Sequence, residues 1–159
     1  MTTEYNSADY RQFATFRLDN IYLGVPVLEV QEVIRYQEMT RVPLAPSMVR
    51  GLINLRGQIV TAIDLRQRLQ LPPRKQDALP MNMVIRTDEG AVSLLVDEID
   101  DVIEVSRERH EPPPVSLSGL ARELLAGVYK LDSRLLLILN TEKAISLPNS
   151  YYNSGRQVA

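Results

Sequence analysis

Apolar positions in this chain come in short alternating runs broken by turn residues. In "QFATFRLDNIYLGVPVLEVQEVIRY", Phe13, Thr15 and Arg17 alternate in facing with Ala14, Phe16 and Leu18, the period of a strand. Asp19-Asn20 supplies a turn pair, and Ile21 to Val25 is β-branched and aromatic enough to return as the second strand of a hairpin. Pro26 suits the first position of a helical turn, and Val27, Val30 and Ile34, three and four apart, predict a short helical or kinked segment after the hairpin.

The stretch "VRGLINLRGQIVTAIDLRQRL" predicts a second hairpin. Its strands are Leu52 to Leu55 and Gln58 to Ile63, and its tight turn is Arg56-Gly57, where glycine tolerates a positive φ. Asp64 is placed to cap a helical turn from Leu65 to Leu69 that Pro72 stops. Residues Leu71 to Pro80, "LPPRKQDALP", read as an exposed linker.

The same order of elements then returns. Shifted by 69, "FRLDNIYLGVPVLEVQEVI" (16–34) lies without gaps on "IRTDEGAVSLLVDEIDDVI" (85–103), with Arg17 on Arg86, Asp19 on Asp88, Glu29 on Glu98 and Val33 on Val102. Shifted by 76, "GLINLRGQIVTAID" (51–64) lies on "GVYKLDSRLLLILN" (127–140), glycine on glycine and capping Asp64 on capping Asn140. Because turn and cap positions repeat along with apolar ones, two similar β-rich units are implied. Their expected bounds are 13–70 and 81–147, joined by the linker 71–80, after a flexible 1–12 and before a polar tail 148–159. Short strands at six-to-eight-residue spacing favour small β-barrels over a doubly wound sheet, which needs long helices between its strands.

Composition removes several kinds of chemistry. The 159 residues suit one compact domain or two small ones sharing a core, and 45% hydrophobic residues with a formal charge of -2 place the chain in the ordinary globular class. There is no cysteine, which removes disulfides, thiolate nucleophiles and sulfur ligands for zinc. The longest unbroken apolar run, Leu135 to Leu139, is far too short to span a bilayer, and the N-terminus has no signal-peptide pattern, so a cytoplasmic protein without membrane insertion is expected. Basic residues are outnumbered, 18 against 20, and give no footprint for nucleic acid.

Catalytic groups are equally scarce. The single histidine, His110, lies in the proline-stiffened "RERHEPPP" and reads as a solvated loop residue; neither a Walker pattern nor GxGxxG occurs. The acids of "VDEIDDVIE", residues 97–104, could hold Mg²⁺ or Ca²⁺ or act as an acid/base pair, which keeps a small metal-dependent enzyme or metal-binding module as the alternative. Their interleaving with Val96, Ile99, Val102 and Ile103 instead suggests an amphipathic turn with a solvated acidic face. No catalytic residue, metal or cofactor is expected.

Taken together, "VQEVIRY", "VRGLINLRGQIVTAIDLR", "LLVDEIDDVIEV" and "LAGVYKLDSRLLLILNTEKAI" resemble the CheW-like family of adaptors, which couple bacterial chemoreceptors to their histidine kinase. The resemblance runs from about Phe13 to Leu147, with "NLRG" and "DLR" as its most specific part; Thr61 stands where the family often has proline. It implies a mainly β fold of two SH3-like five-stranded barrels packed together, with few short helices and no active site. One surface would bind the regulatory domain of a CheA-type kinase, and another the cytoplasmic tip of a methyl-accepting chemoreceptor. The implied receptor-contact residues are Val30, Glu32, Arg56 and Val102, with Val33 and Ile99 as further groove-lining positions; kinase contacts carry over only as a surface. On composition alone Arg56 would read as a solvated hairpin arginine, and it is the resemblance that gives it a partner. With no receiver domain expected after Val158, a stand-alone adaptor recruited to membrane-associated receptor arrays is the implied form.

Overall fold

The computed structural model describes residues 9–114 and 119–146. Its strands are β1 (Tyr10–Leu18), β2 (Ile21–Pro26), β3 (Val30–Ile34), β4 (Val49–Leu55), β5 (Gln58–Asp64), β6 (Met81–Thr87), β7 (Gly90–Val96), β8 (Glu98–Ser106), β9 (His110–Glu111), β10 (Leu125–Lys130) and β11 (Leu135–Leu139). Short helices α1 (Leu65–Arg68), α2 (Gly119–Leu124) and α3 (Thr141–Ile145) interrupt them. The fold is mainly β, as expected.

The internal repeat holds residue by residue. In the first hairpin Phe13 faces Pro26 and Leu18 faces Ile21; adding 69 gives Asn82 facing Leu95 and Thr87 facing Gly90, as observed. In the second hairpin Val49 faces Ile63 and Gly51 faces Ala62 across a bulge; adding 76 gives Leu125 facing Leu139 and Gly127 facing Ile138, again across a bulge. Both helical turns after these hairpins are capped alike: Asp64 accepts from the Arg66 amide at the start of α1, and Asn140 from the Lys143 amide at the start of α3.

The halves are nevertheless not separate barrels. One sheet runs β8-β1-β2-β11-β10-β9 and the other β3-β6-β7-β5-β4, so each takes its first hairpin from one half and its remaining strands from the other. The exchange is sealed by two equivalent parallel pairings, Thr61 with Val92 and Leu137 with Leu23. The sheets therefore do not follow the expected bounds 13–70 and 81–147. The sheets curl in the SH3-like manner but do not close as continuous ladders, and β9 gives one of them a sixth strand.

Exchange follows from the two-faced burial of the strands. Ala14, Phe16, Leu18, Leu23, Val25, Leu139, Ile63, Met83, Ile85, Leu94 and Val96 form one cluster in which both sheets take part. On the opposite faces of the first sheet, Phe13, Tyr22, Val105, Tyr129, Leu136 and Ile138 fill its concave interior. A strand so covered on both faces has no solvent side, which is why Phe13 to Phe16 are all buried. The second sheet differs inside: Asn82 and Ser93 stand where the first has Phe13 and Gly24, and they satisfy one another, Ser93 Oγ donating to Asn82 Oδ1 at 2.7 Å while Asn82 Nδ2 donates to the Arg35 carbonyl.

Other expectations change as well. Where a short helical or kinked segment is expected after the first hairpin, the chain makes a 3₁₀ turn, Val27–Glu29, and then becomes β3. Val30 and Ile34, four apart, also share one face of a strand, and β-branched residues favour the ladder once β6 offers one. For the same reason the acidic segment is the long strand β8 and not a helical turn. Strand β1 already begins at Tyr10, inside the expected flexible 1–12, while residues 1–8 and the tail 148–159 lie outside the described residues. The linker 71–80 is largely exposed but pinned at Arg74, whose side chain is only 10% exposed.

Candidate functional site

Arg56 and Glu32 meet. The β4–β5 turn has φ +53 at Arg56 and +88 at Gly57, the left-handed pair that two-residue hairpins use, and the Asn54 side chain accepts from the Gly57 amide at 2.9 Å to hold it. From this turn Arg56 Nη2 donates to Glu32 Oε2 at 2.8 Å. Since Glu32 lies on β3 and the turn joins β4 to β5, the pair connects the two outer strands of one curled sheet. The arginine side chain is 82% exposed and the glutamate 18%, so an exposed cation stands over a largely covered anion.

The expected apolar positions divide. Val30 and Ile99 are partly buried and pack against the shared core, whereas Val33 (39% exposed) and Val102 (57% exposed) are open. Each pair is related by the internal repeat, one member on β3 and the other on β8, the outer strands of different sheets. Fold symmetry thus gives each sheet one partly buried and one exposed valine-type position, and of the expected polar positions it pairs Glu32 with Arg56.

Three acids of segment 97–104, Asp97, Glu98 and Asp100, pair with arginines. Asp97 is gripped by Arg66 and by Arg74, whose Nε donates to Asp97 Oδ1 at 2.7 Å. Burial pushes the Asp97 carboxyl upward, but the hydrogen bond from Arg66, the Asp19 amide, and the charges of Arg74 and Arg66 outweigh it and hold its pKa below the usual value. Arg17 pairs with Glu98 and, at 3.6 Å, with Asp100. On an extended strand successive carboxylates point to opposite faces, and no group of three or more His, Asp or Glu among the described residues is arranged to hold a metal ion. The metal-centred alternative therefore has no geometry to rest on.

His110 is not a free loop residue. It starts β9, and its exposed ring meets Tyr129 edge-on with centroids 5.3 Å apart. The residue that sequence reading missed is Arg74, placed in a polar linker, yet bonded to Asp64, Asp97 and the Leu95 carbonyl. Nothing in a proline-rich run with scattered charges marks one arginine as turned inward, because its partners lie 10 to 23 residues away.

Comparison with known proteins agrees with this architecture. The family model described as CheW-like domain matches residues 12–148. The chain is 33% identical over 136 residues to the chemotaxis protein CheW of Klebsiella aerogenes, covering 86% of this chain and 82% of that one. It is 28% identical over 150 residues to the chemotaxis protein CheW of Bacillus subtilis, covering 94% and 95%. Among solved structures, the scaffolding protein TtCheW from Thermoanaerobacter tengcongensis superimposes with a TM-score of 0.77 at 25% identity, over 86% of this chain and 88% of that one.

Proposed function

The chain belongs to the CheW-like family, and we propose that it is a non-catalytic scaffold coupling chemoreceptors to a CheA-type histidine kinase, in chemotaxis or a related chemosensory pathway. The observation that carries this reading is the exposed Arg56 held on Glu32. A surface ion pair contributes about 0–1 kcal/mol, and a non-glycine residue in the left-handed region costs roughly 1–2 kcal/mol. Arg56 therefore does little for stability where it stands, and strain kept at an exposed position points to binding.

Geometry suits a helical receptor tip. One guanidinium nitrogen is occupied by Glu32, which fixes the plane of the fork and leaves other donors for carboxylates or carbonyls of the partner. Val102 and Val33 supply exposed apolar area, and Val30 and Ile99 support them from the core side. On this reading Val30, Glu32, Arg56 and Val102 contact the receptor, flanked by Val33 and Ile99. A separate face takes the regulatory domain of the kinase. Two modest contacts on one rigid body give avidity to an array assembled on membrane receptors, without membrane insertion by this chain.

Titration calorimetry against a receptor-tip fragment, and separately against the kinase regulatory domain, tests the proposal. Both are expected to bind, and Arg56→Glu is expected to weaken the receptor alone by about tenfold or more, since it removes a charge-assisted contact and adds repulsion. Receptor binding unchanged by Arg56→Glu would remove Arg56 from the interface; binding to neither partner would overturn the coupling function.

A further inference from the structure

Among the described residues Leu44 is the most exposed of the large apolar side chains, at 100%. It also stands at φ +65, and of the four non-glycine residues in the left-handed region it is the apolar one, the others being Asp19, Arg56 and Gln70. Pro43 and Leu44 fill the two central places of a turn that the Ala45 amide closes onto the Val42 carbonyl at 3.4 Å. Positive φ at the second of those places ordinarily calls for glycine or asparagine, which accept it at least cost. Leu44 therefore strains the backbone and gains no burial from the chain in return.

The turn is carried on a fixed shelf between β3 and β4. Thr40 exchanges two backbone hydrogen bonds with Leu52, each 2.8 Å, and Gly51 leaves room for that approach. Upstream, Asn82 Nδ2 holds the Arg35 carbonyl; downstream, the Val49 amide donates to the Pro46 carbonyl, and Met48 anchors the segment in the core. Tyr36, Met39, Val42 and Val49, all half-buried, line an open groove of about 900 Å³ beside Leu44. Exposed Arg41 and Arg50 line it too, whereas Glu38, the one acid of residues 35–48, does not. Neither arginine is ion-paired among the described residues. Outside the described residues the chain holds one acidic side chain, Glu4, and its terminal carboxylate, so it has little of its own to set against them.

We propose that this shelf docks an acidic segment of a partner protein in which carboxylates flank apolar side chains. The apolar groups cover Leu44 and enter the groove beside it, and the carboxylates meet Arg41 and Arg50. Charge complementarity sets the occupant: two guanidiniums with donors to spare bind carboxylates and repel a basic segment. Because hydrogen-bonded backbone already fixes the turn, Leu44 needs no ordering when the partner arrives, which is the use that strain kept at an exposed position serves. The shelf contains none of Val30, Glu32, Arg56 and Val102, so it adds a binding surface to the coupling reading and does not depend on it.

The test is amide NMR on the isotope-labelled full-length protein, titrated with the blocked peptide EDLLDE and, as controls, with EDSSDE and KKLLKK. Saturable shifts are expected from EDLLDE at Val42, Leu44 and Arg50, and binding about tenfold weaker or less from either control. Leu44→Asn, which suits the turn, and Arg41→Gln/Arg50→Gln are each expected to weaken EDLLDE by a similar factor, with amides elsewhere unchanged. The thermal midpoint of Leu44→Asn is expected to stay level or rise. No saturable shift, binding indifferent to these changes, or a midpoint several degrees lower would overturn the proposal, the last because Leu44 would then serve the fold. So would the same amides saturating equally with vesicles of phosphatidylglycerol, which would make a lipid surface the occupant. So would Glu4→Gln shifting them without peptide, which would make it the chain's own N-terminal segment.

Discussion

Arg66 holds Asp97 through two nitrogens, with Nε 2.9 Å from Oδ1 and Nη2 on Oδ2, and so ties helix α1 to the bend between β7 and β8. Arg74 and the Asp19 amide complete the carboxylate's shell. These side chains are 10–18% exposed, so breaking the set leaves guanidinium charge without its partner in poorly solvated surroundings.

Asp97→Asn is expected to lower stability by about 2–4 kcal/mol at neutral pH, somewhat less than a fully buried pair would lose. The folded-state pKa of Asp97 is depressed, so its stabilisation is present above the ordinary value of 3.8 and fades as pH falls through the folded value. The gap between variant and parent should therefore narrow below pH 3.8. Urea denaturation over a pH series measures it; a gap constant with pH would mean that the charge is not responsible.

At the β4–β5 turn, stability and binding are predicted to separate. Arg56→Asn places a residue more tolerant of the left-handed region at φ +53 and removes an exposed ion pair. Stability is expected to stay level or rise by up to about 1 kcal/mol, while receptor affinity falls. Thermal unfolding beside calorimetry checks both, and a clear loss of stability would show that the Glu32 contact matters more to the fold than argued.

Equivalent glycines should respond unequally. A Cβ at Gly51 would lie 2.7 Å from the Thr40 carbonyl oxygen, which is fixed because it accepts from the Leu52 amide; at Gly127 it would lie 2.4 Å from His110 Nε2, on an exposed ring. Gly51→Ala must move backbone and is expected to cost about 1–3 kcal/mol. Gly127→Ala need only swing the ring off Tyr129, forfeiting an edge contact of about 0.5–1.5 kcal/mol. Denaturation midpoints of the two variants, and of Gly127→Ala in a His110→Ala background where the penalty should vanish, decide the ranking.

Strand exchange predicts that neither half folds alone. A fragment ending at Gln76 would carry β1 and β2 without β8 and β11, and β3 to β5 without β6 and β7. Its circular dichroism should be that of an unfolded chain, and mixing it with residues 77–159 should restore the strand signal. An independently folded fragment would mean that the hairpins can pair within one half.

Much of this was legible in the chain. Alternation, turn pairs and caps located both hairpins of each half, and the offsets of 69 and 76 carried those positions onto their counterparts, because turn and cap chemistry is local and survives divergence of the core. After the first hairpins the chain is mostly strand where a short helical or kinked segment is expected, since residues four apart share a face of helix and strand alike and only a neighbouring strand decides between them. Of the site, Glu32 and Arg56 could be named, but not that they touch, nor that Val30 and Ile99 turn toward the core.

What the amino-acid sequence determined by itself was the kind of unit, its twofold repetition and the tight turn that carries Arg56. What only the tertiary structure decided was partnership: which half supplies each sheet with its hairpin, and that Arg74 folds inward onto Asp64 and Asp97. The reason is physical. Turns and caps are written within a few neighbouring residues, whereas strand exchange and ion pairing join groups far apart in the chain, and identical local patterns in the two halves leave pairing within or between them open until the shared core is packed.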